Sequence, residues 1–233
     1  MSGAPLSGIR ACVFDAYGTL FDTASAAQHC ADALDAETIA RLAALWRDKQ
    51  LQYTWLRTVE GRHADFWQVT GEALDFALAS LGIADSELRG RLMDAYLKLD
   101  AYPEAAAAVR AVRDDGIATA VLSNGTPATL AAILDHAGLT ALFDPVLSIE
   151  EVGVFKPDPR VYQLACDRLG LAANAIAFVS SNGWDAWAAS AFGMRVVWCN
   201  RQGLARERLP GAPDHEIRSL AELPAFLAAP PEG

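Results

Sequence analysis

The chain has 233 residues, 52% of them hydrophobic and 21% charged, which is ample material for a packed core and excludes a disordered chain. Its formal net charge is −10 with the basic residues scattered, which excludes the positive field that a nucleic acid requires. A small anionic ligand would also be repelled at long range, so a pocket for one needs positive groups of its own.

Cys12, Cys30, Cys166 and Cys199 lie far apart with no CxxC pair, and are expected to be reduced, mostly buried thiols of a cytoplasmic protein. The segment from Met1 to Arg10 lacks the charged region and apolar run of a signal peptide. No apolar stretch approaches the roughly 18 residues of a membrane span. A soluble, intracellular protein with no membrane partner is expected.

In chain order, the first element is a short apolar run, Ile9 to Phe14, rich in β-formers and ending in Asp15 and a turn at Gly18-Thr19, which reads as a buried strand. From Phe21 to Tyr102 the pattern is helical only, with apolar residues spaced through Ile39, Leu42, Leu45 and Trp46, and again through Phe76, Leu78, Leu81 and Leu88. About eighty residues without a convincing strand cannot be a simple loop. They are expected to form a helical cap over the carboxyl edge of a sheet, with Pro103 marking the return to the core. The alanine-rich stretch Ala105 to Ala108 reads as helix surface.

Further strands are expected at Ala118 to Leu122, Ala175 to Val179 and Arg195 to Cys199, separated by helices such as Pro127 to His136 and Pro159 to Leu169. Alternating strand and helix predicts parallel β-structure with right-handed crossovers. The expected fold is α/β, a Rossmann-like parallel-sheet core (residues 1–20 and 100–233) with an inserted helical cap (residues 21–99). There is no internal repeat, and the only biased segment is the tail around Pro230 and Pro231.

In an open parallel sheet the productive crevice lies beyond the carboxyl ends of the strands, so the polar residues after each apolar run carry the interest. They are Asp15 with Thr19, then Ser123 and Asn124, then Ser180, Ser181 and Asn182, with Asp185 opening the next helix and Lys156 in the loop Phe155-Lys156-Pro157-Asp158-Pro159. A carboxylate at a strand end, beside a lysine and hydroxyl donors, is kept ionised and oriented, and so can act as a covalent nucleophile. A lone strand-end Asp more often caps the next turn; polar groups at every strand end favour the chemical reading. His29, His63, His136 and His215 have no ligand-like spacing.

The run Asp15-Ala16-Tyr17-Gly18-Thr19-Leu20-Phe21-Asp22, with Ser123-Asn124-Gly125, Lys156-Pro157 and Ser180-Ser181-Asn182-Gly183-Trp184-Asp185, resembles the haloacid dehalogenase superfamily, all four of whose motifs appear in order. Phosphatases of that superfamily carry a second Asp two residues after the nucleophile, which protonates the leaving alkoxide and whose backbone carbonyl binds magnesium. Tyr17 stands there in this chain. Tyrosine is too weak an acid for that task near neutral pH, whereas halide leaves without a proton. The resemblance therefore points to carbon–halogen chemistry, weakens the case for magnesium and implies no cofactor.

The stretch Leu45-Trp46-Arg47-Asp48-Lys49-Gln50-Leu51-Gln52-Tyr53-Thr54-Trp55-Leu56-Arg57 is similar to the helix of L-2-haloacid dehalogenases that supplies a halide-binding arginine. The resemblance makes that arginine Arg47, with Asp48 where family members commonly have Gln, and makes Tyr17, Leu51, Phe66, Asn124 and Trp184 substrate-binding residues. It implies attack of Asp15 on the α-carbon of a small (S)-2-haloacid, with halide expelled toward Arg47 and Asn182, then hydrolysis of the ester by water activated at Asp185 with Lys156 balancing charge. The product is an (R)-2-hydroxy acid. Thr19, Tyr162 and Ser180 match positions that orient the nucleophile, the lysine and the water. Ser123 and the backbone of Asn124 and Gly125, opening the helix from Pro127, are expected to receive the substrate carboxylate.

Two other readings compete: a magnesium-dependent phosphatase or phosphonatase of the same fold, opposed by Tyr17, and a catalytically idle binding protein, opposed by Asp15, Lys156 and Asp185 together. The apolar faces carrying Trp46, Tyr53 and Trp55 exceed what one small pocket needs, which predicts a homodimer.

Overall fold

The computed structural model describes residues 4–227; the biased segment around Pro230 and Pro231 lies outside them. Six strands, β1 (Ala11–Phe14), β2 (Ala118–Ser123), β3 (Val146–Ser148), β4 (Ile176–Ser180), β5 (Arg195–Cys199) and β6 (His215–Ile217), form one sheet in the order β3-β2-β1-β4-β5-β6. Every pairing is parallel, and β1 is central, with Phe14 in register with Val121 on one side and Val179 on the other. All four residues of β1 and all five of β4 are buried, as expected where helices cover both faces of a sheet. This is the expected Rossmann-like α/β fold.

The chain leaves β1 through a tight turn in which Gly18 adopts φ +88°, a left-handed conformation that favours glycine. It then passes through α1 (Ser25–Gln28), α2 (Ala36–Glu60), α3 (Phe66–Ser80) and α4 (Ser86–Tyr96) before re-entering at α5 (Ala105–Asp114). The outgoing and returning segments lie side by side: Phe21 bridges Ala101, the Asp22 amide donates to the Asp100 carbonyl at 2.9 Å, and the Tyr102 amide donates to the Leu20 carbonyl at 2.9 Å. α2 packs along α3, each started by an aspartate N-cap, Asp35 accepting from the Thr38 amide and Asp65 from the Gln68 amide. The remaining helices, α6 (Pro127–His136), α7 (Pro159–Leu169) and α8 (Gly183–Phe192), connect the later strands.

Several expectations need correction. The Phe76-to-Leu88 pattern spans two helices separated by a turn at Gly82, and Phe76 lies on the outer face. Ala105 and Ala108 are buried with Val109 and Val112 on the inner face of α5, so the alanine run is only partly surface. Trp46 is not part of an exposed face; it is buried against Tyr96 and donates its indole N–H to the Thr70 carbonyl at 2.9 Å. β2 and β4 each run one residue further than expected, to Ser123 and Ser180, and the two edge strands β3 and β6 were not anticipated. All four cysteines are buried free thiols.

Candidate active site

The strand order reverses direction between β1 and β4, so the crevice beyond their carboxyl ends is where an open α/β sheet places its ligand. Asp15 follows β1 directly and is almost wholly buried. Its Oδ1 accepts from Lys156 Nζ at 3.0 Å, and its Oδ2 accepts from the Thr19 hydroxyl at 3.0 Å and from Asn182 Nδ2 at 2.9 Å. Thr19 Oγ1 in turn accepts from the Ser181 amide at 2.8 Å, tying the β1 turn to the β4 turn.

Lys156 is enclosed between two carboxylates, with Nζ 3.0 Å from Asp15 and 2.9 Å from Asp185, and lies over the Phe178 ring at 4.8 Å. Burial alone would lower its pKa, but the paired Asp15 and Asp185 charges outweigh that and hold the ammonium above its ordinary value. Asp185, fully buried in the first turn of α8, accepts from the Tyr162 hydroxyl at 2.7 Å through Oδ1. Desolvation pushes its carboxyl up from the ordinary Asp range, against the opposing pull of Lys156 and Tyr162. Desolvation likewise drives the Tyr162 hydroxyl well up, so it acts as a fixed donor.

Asn182 occupies the N-cap of α8, yet its side chain makes no capping bond. Its Nδ2 donates instead to Asp15 and to the Tyr17 carbonyl at 3.1 Å, and its Oδ1 accepts from Arg47 at 3.2 Å. Forgoing a cap costs about 1 kcal/mol, and the side chain is thereby free to join nucleophile, turn and arginine. Arg47 reaches in from α2, with Leu51 one turn further along.

Asp15, Tyr17, Arg47, Leu51, Phe66, Asn124, Lys156, Asn182 and Trp184 surround a small cavity of about 10 Å³. A larger cavity of about 580 Å³ adjoins it, sharing Arg47, Asn182 and Trp184 as walls. Tyr17 lies between Phe66 (ring centroids 5.2 Å) and Tyr96 (5.5 Å), and Trp184 meets Trp55 edge-on at 5.4 Å. The Tyr17 hydroxyl abuts Gly125, where a Cβ would sit 2.8 Å from it, so the loop after β2 needs glycine there.

Ser123 and Ser180 are buried and do not line the cavity. Their hydroxyl oxygens accept from the backbone amides of Gly125 (3.1 Å) and Asn182 (3.1 Å), so they shape the two loops from behind. Asn124 does line it, while its Oδ1 holds the Lys156 amide at 3.0 Å. Sequence reasoning assigned nothing to Gln50, Thr70 or Tyr96, which form a buried polar cluster against Arg47. The available signal was a polar residue at four-residue spacing on the buried ridge Leu42, Trp46, Gln50 and Thr54 of α2.

The model of the haloacid dehalogenase-like hydrolases matches residues 9–193. This chain belongs to that family. Within it, the chain is 47% identical over 220 residues to (S)-2-haloacid dehalogenase 1 of Pseudomonas sp. (strain CBS-3), covering 94% of this chain and 96% of that protein. A crystal structure of a dehalogenase with an intermediate complex superposes with a TM-score of 0.93 at 45% identity, covering 95% of this chain and 98% of the other. The L-2-haloacid dehalogenase of Xanthobacter autotrophicus with chloropropionic acid covalently bound superposes with a TM-score of 0.85 at 38% identity, covering 93% and 97%. The haloacid dehalogenase family resemblance thus extends over helices α1 to α4 and the sheet alike.

Proposed function

We propose that this chain hydrolyses short (S)-2-haloacids to (R)-2-hydroxy acids through an ester on Asp15. The observation that carries the reading is the Asp15 carboxylate, fixed by Lys156, Thr19 and Asn182, sharing with Arg47 a small cavity walled on its other sides by Tyr17, Leu51, Phe66 and Trp184. A carboxylate oxygen attacks the α-carbon in line with the carbon–halogen bond, whose electron pair leaves with the halide. Arg47, held in place by Asn182, meets charge that develops only as that bond breaks, which is the differential binding that lowers a barrier. Phe66, Leu51, Tyr17 and Trp184 exclude bulk water around the alkyl group, and the backbone amide of Asn124 after β2 receives the substrate carboxylate.

Water then attacks the ester carbonyl carbon and gives a proton to Asp185, which desolvation makes a stronger base than an ordinary aspartate. Lys156 offsets the negative charge on the tetrahedral carbon's oxygen; on collapse the departing alkoxide takes the proton held by Asp185, the remaining proton of the attacking water passes to solvent, and the Asp15 carboxylate and the hydroxy acid are released. The α-carbon is touched only in the first step, so its configuration is inverted once.

The residues do not fit a divalent ion. Asp15 and Asp185 each give an oxygen to Lys156, and the Tyr17 carbonyl already accepts from Asn182 at 3.1 Å and Arg47 at 3.5 Å. No step is therefore routed through a metal.

The reading extends to organisation. Residues 1–20 and 100–233 are the catalytic core and residues 21–99 the cap, an assignment supported by the paired crossing segments at Phe21 and Ala101. Exposed Val59 and Leu209, which line a groove of about 780 Å³, support a homodimer, checked by sedimentation of wild type and Val59→Asp. Among the described residues no helix is long and apolar enough to cross a membrane, and buried free thiols support a cytoplasmic location.

The decisive experiment incubates the protein with L- and D-2-chloropropionate in EDTA and measures chloride release. Release from the L form alone, abolished by Asp15→Asn in a folded protein, is the expected result. Activity that demands magnesium and prefers phosphate esters overturns it.

A further inference from the structure

Among the described residues Arg47 makes no ion pair. Its guanidinium donates to Gln50 Oε1 at 2.8 Å, to Asn182 Oδ1 at 3.2 Å and to the Tyr17 carbonyl at 3.5 Å, and all three acceptors are neutral. Asp48, its neighbour in the chain, makes no ion pair with it among the described residues.

The shortest of these contacts comes from Gln50, a side chain 1% exposed whose orientation is dictated from behind. The Thr70 hydroxyl donates to the Phe66 carbonyl at 2.7 Å, and a carbonyl only accepts, so the Thr70 oxygen is left to accept from Gln50 Nε2 at 2.7 Å. The second Nε2 hydrogen goes to the Tyr96 hydroxyl at 2.9 Å. With both amide hydrogens committed, Oε1 must face Arg47. The same cluster is keyed to the cavity, because Tyr96 stacks on Tyr17 at an interplanar angle of 26°.

We propose that Gln50 is a positioning residue that keeps Arg47 aimed at the departing halide while leaving its positive charge uncompensated. This rests on the dehalogenase reading above. A carboxylate at this position would pair with the guanidinium and cancel the field that the halide needs. A hydrocarbon would leave that field intact but release the guanidinium from its fixed direction, and would strand the Thr70 and Tyr96 partners.

The test compares wild type with Gln50→Glu and Gln50→Met. The measurements are kcat and KM with L-2-chloro- and L-2-bromopropionate, product inhibition by chloride, and thermal melting. In Gln50→Glu, kcat with the chloro substrate should fall about 100-fold, the bromo-to-chloro ratio should rise several-fold, and chloride inhibition should weaken about tenfold. In Gln50→Met, kcat should fall while chloride inhibition stays closer to wild type. A purely structural role would lower melting temperature and leave both the halogen ratio and chloride inhibition unchanged, and that outcome overturns the proposal. Where the charged variant fails to fold, Gln50→Met decides: an unchanged kcat and halogen ratio refute the proposal. A wild type that releases no chloride from the L substrate refutes the dehalogenase reading itself, whereas an active wild type with unaltered variants refutes only the role of Gln50.

Discussion

Replacing Lys156 by Met removes the cation held between two buried carboxylates, with side-chain exposures of 7% at Asp15 and 0% at Asp185. Breaking a buried pair by deleting one partner costs about 3–5 kcal/mol, because the remaining charge is neither solvated nor matched. At about 2–4 °C per kcal/mol for a chain of this size, the melting temperature should drop by roughly 6–20 °C. The drop should also depend on pH. In the wild type, Lys156 has a folded pKa above its unfolded value, so its contribution is complete below the unfolded value and is lost only as pH rises through the folded one. Between pH 5 and 8 that contribution is flat.

Without the lysine, one of the two carboxylates must hold a proton in the folded state. A carboxyl whose folded pKa is raised favours folding least at high pH: the penalty is absent below the unfolded value and grows, by about 1.4 kcal/mol per pH unit, until pH passes the folded value. The gap between wild type and variant should therefore widen by several degrees from pH 5 to pH 7, while chloride release is lost at every pH. Thermal melts followed by circular dichroism across this range are the assay. A gap under about 2 °C, or one that does not change with pH, would refute the claim that Lys156 is what keeps both carboxylates charged.

Tyr162→Phe deletes the 2.7 Å bond to Asp185, a hydrogen bond to a charged group that is worth about 1.5–3 kcal/mol. Ester hydrolysis should slow about 10- to 100-fold, and intact-mass spectrometry should find the Asp15 ester accumulating during turnover, whereas slowed chloride release with no ester would place Tyr162 in the first step instead. Phe66→Ala should cost about 3–5 kcal/mol of stability, because the ring is buried against Tyr17 and Phe155. The same variant should shift kcat/KM toward 2-halobutanoates and longer acids, and an unchanged chain-length profile would remove Phe66 from the pocket wall.

How much of this was legible in the sequence depends on how local each cause is. The bounds of α6 and α7 match expectation because the signals are adjacent residues: Thr126 caps before Pro127, Asp158 caps before Pro159, and Gly170 at φ +64° closes the second helix. The positions of Asp15 and Asn182 follow from the rule that parallel strands offer their carboxyl ends. β3 and β6 escaped because three residues at a sheet edge create no periodicity. Ser123 and Ser180 look like ligand-facing hydroxyls in the sequence; their turn onto backbone amides two residues ahead is a torsion that no residue pattern reveals. The Gln50 cluster is a product of α2, α3 and α4 packing together, and only the packed helices show which side of that amide faces Arg47.

Tyr17 connects the fold to the choice of leaving group. Its ring fills the space between Phe66 and Tyr96, its hydroxyl is committed to Thr129 at 3.4 Å and pressed against Gly125, and burial drives its pKa far up. It therefore supplies no proton to a group departing from the Asp15 side, while its backbone carbonyl is occupied by Asn182 and Arg47. A site without an acid at this point can expel only a group that is stable as an anion, and it must then receive that anion. On the proposed reading Arg47, steadied by three neutral oxygens, is that receptor. The aromatic packing that removes the acid and the polar cluster that keeps the arginine unneutralised meet at the Tyr17–Tyr96 stack, so the preference for halide over phosphate ester is built by the same side chains that hold the cap helices against the sheet.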